Sequence, residues 1–223
     1  MHQQKGKKIL TYLFLLFLLG SINNISLNNL RFEKIRNINI VGLKDSETRI
    51  LLQKIKDLNL GIIFSINRNK IMNKINSNNL IENYDIFKKY PSSLVINIEK
   101  TKFLAKVNSD GKIFLLGSNG KLSNNIFLNN HLPFIFGKLD VNEFLIFKNI
   151  VDNSKISYEE IKNFYFFSSK RWDLQLKNNI IIKLSSSYPK DSLQLAFEFL
   201  HNNDLTDIKI IDARVKNQII LNG

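Results

Sequence analysis

The chain has 223 residues, 44% of them hydrophobic and 23% charged, a balance that fits one or two folded domains of about 100 residues each and excludes intrinsic disorder. Its formal charge is +13, but the lysines are spread along the whole length among Asn and Ile. That leaves no concentrated basic stripe of the kind that reads nucleic acid; attraction to an anionic lipid surface uses the same charge more simply. Cysteine is absent, which excludes disulfides and thiolate metal sites and leaves the compartment open.

Taken in chain order, Lys5, Lys7 and Lys8 precede an unbroken apolar run from Ile9 to Leu19. This is the arrangement of a membrane-targeting segment with its positive end held in the cytoplasm. The run is shorter than the roughly 20 residues that span a bilayer unless the segment to Leu27 completes it. Two readings follow: an anchor over 9–27 behind a tail of residues 1–8, or a cleaved signal peptide with Gly20 and Ser21 near the cut. With no second apolar stretch of spanning length in the sequence, either reading exports the remainder.

Ile38 and Ile40 alternate with Asn37 and Asn39, which predicts a half-buried strand. A helix follows, capped by Asp45 or Ser46, with Leu51, Ile55 and Leu58 on one face. Gly61 ends it, and a second short helix aligns Ile71 with Ile75. Strands over Leu80–Lys89 and around Leu94, Ile96 and Ile98 flank the turn Tyr90-Pro91-Ser92-Ser93. The order strand, helix, helix, strand, strand packs two helices on one face of a small sheet.

From Phe103 the texture changes to short strands divided by Asp110-Gly111, Asn119-Gly120 and Asn178-Asn179, predicting a mainly antiparallel β domain. Helices interrupt it: Asp140 with Glu143 and Ser157 with Glu160 have capping-box spacing, and Leu193, Phe197 and Leu200 lie at helical intervals after Asp191. Ile208–Val215 and Ile219–Leu221 close the chain as strands, the last with nothing after it to cover its edge.

Catalytic patterns are thin. His2, His131 and His201 are scattered without metal-ligand spacing. Ser187-Tyr188-Pro189-Lys190 matches S-x-x-K but lacks the companion motifs of the Ser/Lys hydrolases, and Pro189 reads better as a helix start. Glu159 and Glu160 point about 100° apart if helical and do not form a catalytic pair. Gly117-Ser118-Asn119-Gly120 is a hairpin signal and not a phosphate cradle. No catalytic, metal or cofactor site and no small-molecule substrate is expected.

Several segments, weak singly and specific in their order, carry a family resemblance. They are Ile38–Leu43, Gly61–Asn67, Tyr90–Glu99, Asp110-Gly111, Leu132–Gly137, Arg171-Trp172-Asp173-Leu174 and Ile211-Asp212-Ala213-Arg214. On these the chain resembles the FtsQ/DivIB cell-division proteins over nearly its whole length. Lys100–Ala105 departs from the family pattern, with Phe103 where Pro is common. The resemblance implies an α+β protein with an N-terminal transmembrane helix, a POTRA domain (β-α-α-β-β) over 31–101 and an FtsQ-type, mainly antiparallel β domain with peripheral helices over 102–223. It implies a non-enzymatic scaffold of the division septum, single-pass in the bacterial inner membrane, with its C-terminal domains in the periplasm. Its partners would be FtsB-like and FtsL-like bitopic proteins and other divisome components. An uncovered terminal strand accepts a partner strand by β-augmentation; here that edge would be Val215, Lys216, Asn217, Gln218, Ile219, Ile220 and Leu221, supported by Arg171, Trp172 and Arg214. The bland alternative makes Trp172 and Ile219 core and Arg214 a satisfied surface charge. A POTRA-bearing envelope assembly or transport component is the rival function, and an exported Ser/Lys hydrolase a remoter one.

Overall fold

A computed structural model describes residues 2–22, 33–124, 131–203 and 208–222. Helix α1 spans His2–Ile22, and the apolar side chains of Ile9–Leu19 are exposed all around it. No described helix is long and apolar enough to cross a membrane. Asn23–Leu27, the end of the predicted anchor, lies outside the described residues.

The first folded unit contains β1 (Asn37–Val41), α2 (Asp45–Lys56), a 3-10 turn at Ile63–Ser65, α3 (Arg68–Asn76), β2 (Ile81–Lys89) and β3 (Ser93–Lys100). The sheet order is β1-β3-β2, with β1 parallel and β2 antiparallel to β3. Period-2 alternation puts Ile40, Leu94, Ile96 and Ile98 on one face, and helical spacing brings Leu51, Ile55, Ile71 and Ile75 down onto it. The cap of α2 differs from expectation. Lys44 is the N-cap residue, and its backbone N–H donates to Glu47 at 3.2 Å. Glu47 also accepts from Lys100 Nζ at 2.7 and 3.0 Å, so the end of β3 fixes the start of the helix. Burial raises the Glu47 carboxyl pKa, but the Lys100 and Lys44 contacts outweigh it and hold the group below its ordinary value. Gly42, at φ +105°, lies where a Cβ would sit 1.8 Å from the Ile98 carbonyl oxygen, so no other residue fits the close exit from β1.

The second unit contains β4 (Phe103–Ser109), β5 (Lys112–Gly117), β6 (Leu122–Ser123), β7 (Phe134–Phe136), α4 (Val141–Asp152), β8 (Ile161–Phe166), β9 (Trp172–Leu176), β10 (Ile181–Leu184), α5 (Pro189–Asn202), β11 (Ile210–Ala213) and β12 (Ile220–Asn222). These strands form one sheet in the order β12-β11-β10-β9-β8-β7-β4-β5-β6. Most neighbours are antiparallel, but β4–β7, β7–β8 and β10–β11 are parallel. The helices explain two of those pairs: α4 carries the chain from β7 to β8 and α5 from β10 to β11, each as a crossover between parallel neighbours. Both pack on one face, where Phe144, Phe147, Val151, Leu193 and Ala196 cover Phe164, Leu174, Ile182 and Ile211.

Asp140 caps α4 as expected, accepting from Glu143 N at 3.1 Å. Ser157–Glu160, by contrast, makes only a 3-10 turn over Tyr158–Glu160, because β8 begins at Ile161 and leaves no length for a helix. Tyr158 is drawn inward there, and its hydroxyl donates to the Leu104 carbonyl at 2.7 Å. Burial, with Asp152 nearby, pushes that phenol's pKa up.

One turn joins the two units. Ser118 Oγ and Thr101 Oγ1 donate to Glu82 Oε2 at 2.7 and 2.9 Å, and Asn119 Nδ2 donates to the carbonyls of Asn79 and Ile81 at 3.1 and 2.9 Å. Lys121 Nζ donates to the Asn76 carbonyl at 2.7 Å, and Asn79 Nδ2 donates back to the Leu122 carbonyl at 2.6 Å.

Candidate partner-binding edge

Strand β12 ends the large sheet. It pairs antiparallel with β11 through Ile210↔Asn222, Ile211↔Leu221 and Asp212↔Ile220, and among the described residues nothing pairs with its outer side. Its residues are all exposed, Ile220 at 55% and Leu221 at 45%. An edge of this kind presents unpaired backbone donors and acceptors to any extended segment that approaches. The edge is shorter than expected. Val215, Lys216, Asn217 and Gln218 form the turn between β11 and β12 and not part of the strand, with Asn217 at φ +56° and Gln218 N donating to Val215 O at 3.2 Å. Ile219 is half-buried against the core.

Trp172 is not a surface contact. It is 4% exposed, stacked on Phe147 at 5.0 Å between ring centroids and on Phe166 at 4.4 Å, with Phe144 and Phe164 closing the cluster. Position explains this: Trp172 and Leu174 on β9 point to the face that α4 covers, so the ring belongs to the core, where an aromatic contributes most.

The opposite face carries a row of charge. Register places Asp173 opposite Lys183 and Lys183 opposite Asp212, with Ile220 next at the edge. Arg171 donates from Nε and Nη2 to Asp173 at 3.1 and 3.2 Å, and its guanidinium lies 4.1 Å from the Phe167 ring centroid. Arg214 does the same to Asp212, from Nε at 2.8 and 3.0 Å and from Nη2 at 2.6 Å. The two pairs differ in setting. Burial pushes the Asp173 carboxyl above its ordinary value in spite of Arg171. At Asp212 the hydrogen bonds from Arg214 outweigh burial and hold the carboxyl below it. Asp173, Lys183 and Asp212 were absent from the sequence-based site; an Arg and an Asp two apart in extended chain share a face, and that spacing was the available signal for the two carboxylates.

Ser187 and Lys190 are both exposed at the start of α5, and among the described residues no hydrogen bond joins them. The hydroxyl buried at that helix start is Ser192, which accepts from Ser185 N and donates to the Tyr188 carbonyl. No group of three or more His, Cys, Asp or Glu residues that could hold a metal occurs among the described residues. After Phe103 the described strands, two to seven residues long, form an open sheet, unlike the tilted strands of about ten residues that close a membrane barrel.

Residues 33–100 match the sequence model of the FtsQ-type POTRA domain, the segment that folds as β1-α2-α3-β2-β3. The class is thus a POTRA-bearing protein with an appended β-sheet domain. The cell division protein FtsQ of Rickettsia bellii is 24% identical over 196 residues, covering 83% of this chain and 70% of that protein. FtsQ of Rickettsia conorii is 25% identical over 193 residues with the same coverage. Over most of its length the chain is thus similar to the FtsQ cell-division proteins, and its residues 33–100 match the POTRA domain of the FtsQ type. A solved structure of the major extracytoplasmic domain of DivIB from Geobacillus stearothermophilus is a remote likeness, 13% identical with a TM-score of 0.33, covering 47% of this chain and 98% of that one.

Proposed function

We propose that the chain is a non-enzymatic, membrane-anchored scaffold of the bacterial division septum, binding other division proteins on the periplasmic side and linking early to late components. Residues 9–27 would hold it in the inner membrane as a single pass, with residues 1–8 cytoplasmic. FtsB-like and FtsL-like bitopic proteins would supply an extended segment that adds to β12. The observation that carries this reading is the unpaired outer side of β12 at the end of a sheet whose other strands are built into a core. Arg214 and the turn 215–218 lie beside that edge and would set register and orientation, and Arg171 lies further in along the same face.

The test is capture of small bitopic coiled-coil proteins by the full chain from detergent-solubilised native membranes. Ile220→Lys with Leu221→Lys places two ammonium groups on the edge, and such charges are how proteins keep sheet edges from pairing. Capture that falls at least tenfold in this variant supports the edge; undiminished capture moves the partner surface elsewhere.

A further inference from the structure

The POTRA unit has a cleft of about 320 Å³ that the division role leaves unused, lined by Lys34, Ile35, Arg36, Ile38, Lys56 and the loop Asn59-Leu60-Gly61. It forms where the chain enters the first domain. Ile35 N donates to Gly61 O at 2.9 Å, Lys34 bridges Ile62, and Arg36 N donates to Ser92 O at 3.0 Å, so backbone pairing fixes the walls.

Three cations line it. Among the described residues the one acid paired with them is Glu33, on Arg36 at 3.0 Å in a solvent-exposed contact that is easily exchanged for a better anion. Asp57, next to Lys56, accepts from Gln53 Nε2 at 2.8 Å. The end of α2 lies here, where the Gln53, Ile55 and Lys56 carbonyls accept from Asp57, Leu58 and Asn59 N–H, and the Lys56 ammonium offsets the negative end of the helix dipole. The remaining walls are Ile35, Ile38 and Leu60. A guanidinium and two ammonium groups beside an apolar wall fit a phosphoryl group that carries an apolar tail, in a volume at the low end of small-ligand sites.

We infer that this cleft binds the headgroup of an anionic phospholipid and holds the POTRA domain against the membrane surface. The inference rests on the reading of residues 9–27 as an anchor. Lys34 is seven residues beyond Leu27, so the cleft lies within about 25 Å of the anchor's end even with the chain fully extended, where an anionic surface attracts Lys and Arg.

The experiment uses the full chain in a neutral maltoside detergent, with three probes: dioctanoylphosphatidylglycerol, dioctanoylphosphatidylcholine and inorganic phosphate. Amide hydrogen exchange over 34–38 and 56–61 reads occupancy. The glycerol lipid slows exchange there and the choline lipid does not; Lys34→Glu with Lys56→Glu weakens the effect by about tenfold or more. Lys34→Gln with Lys56→Gln gives an intermediate loss and, with an unchanged thermal melt, shows that charge and not folding is being read. Equal protection by inorganic phosphate would overturn the lipid assignment, and protection that survives the Glu variant would overturn the cleft. Alkaline carbonate extraction of the chain from membranes reports on the anchor separately: release with the cleft still protected removes the anchor alone, and retention with no protection removes the cleft alone.

Discussion

Two Arg–Asp pairs lie on one face of the large sheet, with the same two-residue spacing and the same two-pronged contact, and the fold uses them differently. On β9, in the middle of the sheet, Arg171 and Asp173 flank a tryptophan that the core has absorbed, and burial outweighs the arginine in setting the carboxyl. On β11, one strand from the edge, Arg214 and Asp212 sit beside exposed Ile220, and the arginine outweighs burial. The pair at the centre of the sheet is enclosed by the fold, whereas the pair near its rim stands at the surface. Residue type does not distinguish them; distance from the open edge does.

Trp172→Ala breaks the centre and has the largest effect. It should cost about 3–5 kcal/mol of unfolding free energy by urea titration, through the cavity it opens among Phe144, Phe147, Phe164 and Phe166. Gly137→Ala comes next. Gly137 sits at φ +105° after β7, and a Cβ there would lie 2.1 Å from the Phe166 carbonyl oxygen; a loss of about 3 kcal/mol in the same titration is expected from the displaced backbone.

Acid titration separates the two pairs more finely. Asp173 has a folded pKa above its ordinary 3.8, so between 3.8 and that value the folded state binds more protons and stability falls as pH rises. Asp212 has a folded pKa below 3.8, so its stabilisation is present above 3.8 and is lost as pH falls through the folded value. Asp173→Asn should flatten the stability–pH curve on the near side of 3.8, and Asp212→Asn on the acid side, in urea titrations from pH 6 to pH 2. The smallest stability change belongs to the edge: Ile220→Lys with Leu221→Lys should stay within about 0.5 kcal/mol of the parent while reducing partner capture. A large loss of stability there would mean that the rim is built like the centre.

Much of this was legible in the sequence, for physical reasons that differ along the chain. The POTRA unit was readable almost element by element because each strand and helix shows one apolar face: Ile38 and Ile40, Leu51 and Ile55, Ile71 and Ile75, Leu94 to Ile98. In the second domain the hairpin turns were readable from their own chemistry, as at Asp110-Gly111, where both residues have positive φ. The order of its strands was not, because β7–β8 and β10–β11 pair in parallel across the crossovers α4 and α5 and β7 also joins the distant β4, pairings that local pattern does not encode. The site divided in the same way. The uncovered last strand could be foreseen from its place in the chain, but its length could not, since Val215–Gln218 reads as continuing the alternation and folds as a turn around Asn217. Trp172 carried both a core and a contact reading, and only the placement of α4 over it decides between them.

The opposite end of the sheet is tied to the POTRA unit. The Leu122 carbonyl of β6 accepts from the side chain of Asn79, a POTRA residue. Among the described residues the two ends of the sheet therefore differ: β12 meets solvent with all three of its residues, whereas the two-residue β6 is tied at Leu122 to the other unit. If guest strands add at β12 alone, each molecule takes one, and partner binding saturates at an equimolar ratio.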